Sequence, residues 1–262
     1  VDKDIIVDIN QGIATITLNR PNKRNAFHLG MIDRWIDALN TCINDDVVKV
    51  IVITGAGQAF CAGGDIEDLM GSRGKLGAED RRKELTEHVH KLVHLFQRND
   101  KPVIAAMNGV ATGAGLDLAL YADLRYAAES ARFSETYVRV GLIPGAGGAW
   151  MLPRIVGVSK ALELFWTSDF IDAKQGLELG IINKVHPDDI LMDEVMKIAK
   201  KLAIGPQFSI RAIKRAVYHG RTSDLSTALD HVAASYSIAA TSADHAEAVS
   251  AFLEKREPNF GQ

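Results

Sequence analysis

At 262 residues the chain is long enough for one large domain, or for a domain with a small appendage, and its 47% hydrophobic and 24% charged residues are ordinary for a soluble globular protein. A formal net charge of -3 gives no global reason to expect nucleic acid or an anionic membrane as a partner, and two cysteines, Cys42 and Cys61, make no disulfide framework. No apolar run reaches membrane-spanning length and no signal-peptide core opens the chain, so the cytoplasm is the expected location.

The first pattern is a hairpin: two β-rich runs, Ile5–Ile9 and Ile13–Leu18, split by Asn10-Gln11-Gly12. The stretch from Asn19 to Asn25 is polar, contains Pro21 and reads as a loop. From Leu29 to Asn44 apolar residues recur at helical spacing through Ile32, Ile36, Leu39 and Ile43. Val50–Thr54 reads as a buried strand, and Phe60–Asp65 as a turn of small residues before a short helix from Ile66. Gly71 to Glu84 mixes glycine with charge and is expected to be a surface loop. Leu85 to Gln97 returns to helical spacing and carries His88, His90 and His94. His90 and His94 share a face, but no Glu-containing zinc motif accompanies them, and no metal is expected.

Val103–Met107 is a second buried strand, followed by Asn108-Gly109, then Gly113-Ala114-Gly115 and the helical start Leu116–Leu120. A strand that feeds a glycine-lined turn and a helix start leaves backbone N–H groups open, and the missing side chains let a ligand oxygen approach. The spacing departs from the dinucleotide fingerprint at Leu118, so a Rossmann cofactor site is not expected. Asp117 falls in the first helical turn. Short strand patterns follow at Ala122–Ala127 and Ala131–Ser134, and Gly141–Gly148 is a third glycine-rich turn. Helical patterns at Val158–Trp166 and Ala173–Leu179 precede a strand-like run at Ile181–Val185. Beyond Pro187 the pattern is almost wholly helical: Ile190–Ile204, Pro206–Gly220, Leu225–Ala239 and Ala243–Arg256. Strands alternating with helices, then helices alone, predict an α/β core with a helical C-terminal region.

Five motifs now stand in order: Asn19-Arg20-Pro21 with Asn25-Ala26, Ala62–Ile66, Gly113-Ala114-Gly115, Ile143–Gly148 and Ala251–Arg256. Together they make the chain resemble the enoyl-CoA hydratase/isomerase (crotonase) family from Ile5 to Phe260. The resemblance implies a core of repeated ββα units with two near-perpendicular sheets over residues 1–200, and a helical trimerisation region over 201–262. It implies a homotrimer or a hexamer built as a dimer of trimers. The implied ligand is an acyl-CoA thioester, with coenzyme A entering as part of the substrate and no separate cofactor.

By the same resemblance the thioester carbonyl is held by two backbone N–H groups, which map to Gly64 and Ala114. Such donors stabilise the enolate formed when a proton leaves the carbon beside a thioester, and one is commonly worth about 3 kcal/mol of barrier. Of the two glutamates that hydratases of the family use, the first maps to Asp117 and the second to Tyr137, a neutral phenol that cannot act as a carboxylate base. Dehalogenases and several isomerases of the family use an Asp where this chain has Gly145. Asp117 is therefore the expected acid/base, Tyr137 and His90 are expected along the acyl pocket, and Glu135, two residues from Tyr137, is expected to face away, or to enter the site if that turn is displaced. The coenzyme A positions map to Lys23 or Arg24, Ala26, Ala62, Asp65, Ile66, Phe252 and Lys255. Hydration or double-bond migration is the expected reaction. Decarboxylation, thioester hydrolysis and non-catalytic acyl-CoA binding are the alternatives on the same scaffold.

Overall fold

The computed structural model describes residues 4–71 and 76–261. β1 (Ile5–Asn10) and β2 (Ile13–Leu18) form the antiparallel hairpin, with Ile5 opposite Leu18. A 3₁₀ turn at Pro21–Lys23 leads to α1 (Leu29–Asn44), which buries Met31, Ile32, Trp35, Leu39 and Cys42. Then come β3 (Val50–Gly55), β4 (Ala59–Cys61), α2 (Ile66–Gly71) and α3 (Ala78–Glu84). A π-helical turn, Leu85–Val89, joins α3 to α4 (His90–Arg98).

The next two repeats are β5 (Val103–Met107), β6 (Val110–Thr112) and α5 (Ala114–Ala119), then β7 (Leu124–Ala128), β8 (Arg132–Ser134) and a 3₁₀ turn at Thr136–Val140. Three short helices follow: α6 (Gly148–Met151), α7 (Pro153–Val156) and α8 (Val158–Thr167). β9 (Ile171–Asp172), α9 (Ala173–Glu178) and β10 (Lys184–His186) complete the sheets. The chain ends in α10 (Leu191–Ala203), α11 (Gln207–Gly220), α12 (Leu225–Ala240) and α13 (Ala243–Glu254).

The strands sort into two mixed sheets by their place in each repeat. In the three central pairs the first strand (β3, β5, β7) joins a six-stranded sheet, β1-β2-β3-β5-β7-β10, which the hairpin and β10 complete, and the second (β4, β6, β8) joins a four-stranded sheet, β4-β6-β8-β9. β3 and β5 are buried along their whole length, as parallel strands covered on both faces must be. α1 and α4 cover part of this core and meet edge-to-face through Trp35 and Phe96, ring centroids 6.2 Å apart. Lys101, buried between α4 and β5, donates Nζ to the carbonyls of Cys42 (2.9 Å) and Asp45 (2.7 Å) and so satisfies the end of α1.

Where the loop was expected between Gly71 and Glu84, residues 78–84 are helix α3; positions 72–75 lie outside the described residues. Local charge explains the helix. Asp80 accepts from the Gly77 amide at 3.0 Å, Glu79 and Asp80 sit in the first turn, and Arg81, Arg82 and Lys83 in the last. Leu85–Gln97, read as one helix, contains a π turn before α4. α12 leaves Leu229, Val232 and Tyr236 exposed. No helix among the described residues is long and apolar enough to cross a membrane.

Candidate active site

The site grows from the two-sheet repeat. β4, β6 and β8 run parallel, so the turns that follow them gather at one end of the small sheet. This is where ligands collect in α/β sheets, outside the carboxyl ends of parallel strands. After β4 the turn is Ala62-Gly63-Gly64; after β6 it is Gly113-Ala114; after β8 it is Glu135 and the 3₁₀ turn that carries Tyr137. The first two are pinned together. Thr112 donates Oγ1 to the Ala62 carbonyl at 3.0 Å, and a Cβ built on Gly63 would lie 3.4 Å from the Ala114 nitrogen. The third is pinned to the second, because Gly113 donates its amide to the Ser134 carbonyl at 2.9 Å.

The backbone leaves two amides unused here. Gly64 bridges to Phe27, but the bonds of that bridge are made by its neighbours: Phe27 donates to the Gly63 carbonyl and Asp65 to the Phe27 carbonyl, both at 2.8 Å. The Gly64 N–H therefore points off the bridge, and among the described residues it has no acceptor. Ala114 is the first residue of α5, so its N–H has no intrahelical partner, and it too has no acceptor. Gly113 reaches this turn with φ +49, where a side chain would be strained and would press on Thr136 Oγ1 at 3.1 Å.

Asp117, one turn along α5 from Ala114, is fully buried. Its Oδ2 accepts a hydrogen bond from the Tyr137 hydroxyl, while Oδ1 has no hydrogen-bond partner and lies against Gly148, where a Cβ would overlap it. Burial pushes the Asp117 carboxyl up to about 6; the Tyr137 hydroxyl and the Gly148 amide oppose that rise without cancelling it. Burial, with the Asp117 charge beside it, holds the Tyr137 phenol well above its usual range, so it stays a neutral donor.

Glu135 corrects an expectation. It does not face away: it is buried to 1% exposure, its carboxyl oxygens accept no hydrogen bond, and the group its carboxyl meets is that of Asp117. Its backbone is held by Ser168, whose hydroxyl donates to the Glu135 carbonyl at 2.7 Å. Nothing in the pattern of one strand end followed by a turn states which way such a side chain points. The only signal available was the carboxyl itself, two residues before Tyr137.

The remaining positions are placed as follows. His90 sits on α4 with Nε2 3.0 Å from the Gly145 carbonyl, which ties the helix to the glycine turn. A Cβ on Gly145 would meet Leu85 at 3.3 Å, so this turn and the π segment face each other. Arg20 joins Asp65 at 3.0 Å and also bonds the Ala26 carbonyl, bringing Ala26, Ala62 and Asp65 into one knot. Burial pushes the Asp65 carboxyl up, but the Arg20 bond and the Glu67 amide outweigh it and hold the group below its usual range. Lys23 pairs with Glu67 at 2.6 Å in the open, and Ile66 is exposed beside them. Phe252 and Lys255 lie on or just past α13, which packs on α12; within one chain the structure does not bring them to Asp117. Cys61 is buried, donates to the Asn25 carbonyl at 3.2 Å and is pushed by burial up to about 12, so it is not a thiolate nucleophile. Among the described residues no cluster of His, Cys, Asp and Glu could hold a metal ion.

Comparison with known proteins agrees with this architecture. Residues 8–262 match the family model described as enoyl-CoA hydratase/isomerase. The chain is 38% identical over 257 residues to the 1,2-epoxyphenylacetyl-CoA isomerase of Escherichia coli (strain K12), covering 98% of this chain and 97% of that one. It is 36% identical over 260 residues to the crotonyl-CoA hydratase of Syntrophomonas wolfei, with 98% of each covered. The crystal structure of an enoyl-CoA hydratase from Mycobacterium smegmatis superposes with a TM-score of 0.92 at 31% identity, covering 99% of both chains. With the full-length match, the fold and the identities all in agreement, the chain belongs to the enoyl-CoA hydratase/isomerase family.

Proposed function

We propose that this enzyme moves a double bond along an acyl-CoA thioester, with Asp117 as the single proton carrier. One observation supports this reading above the others: Asp117 is a buried carboxylate with one oxygen held by Tyr137 and the other unbonded, next to two amides with no acceptor. The Gly64 and Ala114 N–H groups would hold the thioester oxygen. Asp117 would take a proton from the carbon beside the thioester of a 3-enoyl chain. The C–H electron pair would enter the conjugated enolate, whose negative charge rests on the held oxygen. Asp117 would then return the proton two carbons further along, leaving the 2-enoyl thioester. One carboxylate suffices because the same proton is taken and returned.

Hydration of a 2-enoyl thioester is the second reading, favoured by relatives whose names are hydratases. It asks for an acid and a base facing one water. Here the residue at the second position is Tyr137, a neutral phenol. The proposed coenzyme A contacts are Lys23, Ala26, Ala62, Asp65 and Ile66, with Phe252 and Lys255 supplied from α13 in an assembled trimer or hexamer through the 201–262 region.

Purified enzyme given 3-enoyl-CoA and crotonyl-CoA in parallel tests the reading. Conversion of the first to the conjugated 2-enoyl product is expected, and Asp117→Asn is expected to lower kcat about a hundredfold or more. Equal rates in the variant remove Asp117 from the chemistry. Water addition to crotonyl-CoA without any isomerisation selects the second reading.

A further inference from the structure

The mechanism above uses Asp117 and leaves its buried neighbour without a task. Glu135 is out of contact with solvent, no group donates to either of its carboxyl oxygens, and the one polar side chain within its hydrogen-bond reach is the Asp117 carboxyl. The void beside it is only about 10 Å³, and Leu116, Phe133, Leu152, Leu164, Ile171 and Ile181 line it with carbon. Ser134, the other polar residue there, already donates its hydroxyl to the Ser168 carbonyl at 2.8 Å. A charged carboxylate in such a place has nothing to offset its lost hydration. Asp117 is the facing ionisable group from α5, and Tyr137 is the one from the 3₁₀ turn. Tyr121 feels the Asp117 charge but spends its hydroxyl on the Gly147 carbonyl at 3.2 Å, and the Arg139 guanidinium goes to the Ser168 carbonyl. Among the described residues no cation neutralises the pair, so the two adjacent buried carboxyls share at most one negative charge.

We propose that Glu135 is the member that stays a neutral carboxylic acid, holding its proton against Asp117 as a positioning residue, so that Asp117 enters each turnover as the base. This rests on the reading of Asp117 as the proton carrier. The charge belongs on Asp117 because Tyr137 donates to it, whereas nothing donates to Glu135. It follows that the first step is removal of a proton, not delivery of one. The preferred substrates are then β,γ-unsaturated acyl thioesters, whose α-hydrogens are acidified by both the carbonyl and the double bond. Glu135 itself touches no substrate and exchanges no proton with it.

Two measurements on the full-length protein test this. Infrared spectra at about pH 8, without substrate, are expected to show the C=O stretch of a buried carboxylic acid that disappears in Glu135→Gln and persists in Asp117→Asn. The acid limb of kcat/KM is expected to stay within about 0.3 pH unit in Glu135→Gln, whose amide can still donate, and to move up by about one unit in Glu135→Leu, which cannot. A downward move in Glu135→Gln means that a negative charge was removed, and it overturns the proposal. So does a carboxylic acid band unaffected by Glu135→Gln. If Glu135→Leu does not fold, the glutamine variant decides alone through both readouts. Full activity in Asp117→Asn with the infrared band intact defeats the reading of Asp117 and not the protonation of Glu135.

Discussion

Asp117 is costly to keep. A carboxyl with no exposed surface, one donor and a raised affinity for its proton would be an unlikely choice for stability, since an apolar side chain would fill the space without an unmet polar atom. The same features suit a base that must work near neutral pH. The pH dependence follows in sign. As the proposed base Asp117 would work as the carboxylate, so kcat/KM is expected to be level above about pH 6 and to fall about tenfold per unit below it, with the midpoint read from a pH–rate profile. A profile level down to pH 4 would show that a different group carries the proton. At this scale the residues were partly readable. Asp117 and Tyr137 could be placed together because the family resemblance maps them to its two glutamate positions, and the structure joins them by a hydrogen bond. Glu135 could not, because the direction of a side chain at a strand-to-turn junction depends on the helix that packs over it, here the neighbour of Ser168.

Among the elements, those with internal periodicity were the readable ones. α1 runs from Leu29 to Asn44, as its spacing predicts, and its end needs help from elsewhere in the chain. That help is Lys101, which meets two of the helix's terminal carbonyls from 56 residues beyond Asp45. Lys101→Met keeps the stem and removes the donor, and is expected to destabilise the fold by about 2 kcal/mol while leaving kcat unchanged, as followed by urea unfolding. Of the three-residue strands, β8 is legible at Ala131–Ser134, but β4 and β6 are not, because three residues cannot display an alternation. β4 in particular reads from sequence as part of a small-residue turn; it becomes a strand because β6 pairs with it from 50 residues away. α3 was missed for the opposite reason, since its helix is held by charges at its two ends and by no buried face.

For the molecule as a whole, the active centre and the stability of the fold pull against each other. In the folded state Asp117 binds its proton more tightly than a free aspartate, so its contribution favours folding at low pH and is lost as pH rises through about 6. Asparagine carries no charge at any pH. The stability of Asp117→Asn relative to the parent is therefore expected to rise by about 1.5 kcal/mol between pH 5 and pH 8, the part of the shift that falls in that window. Denaturant melts at the two pH values check this, and a relative stability that fell instead would show that the Tyr137 contact outweighs the burial of charge. The overall plan was visible in the sequence through motif order, and the long-range facts were not: which strand enters which sheet, and that three separate turns end at one point.

That convergence has a consequence for how such a scaffold changes trade. On the reading proposed above, gripping the ester and moving the hydrogen would be divided among consecutive repeats, the first lending the Gly64 amide, the second the Ala114 amide and Asp117, and the third Tyr137 and Glu135. Nitrogens of the main chain survive almost any replacement of side chains. On that reading, replacing segment 135–148 is expected to alter what is done to the acyl chain while the Gly64 and Ala114 amides stay where they are.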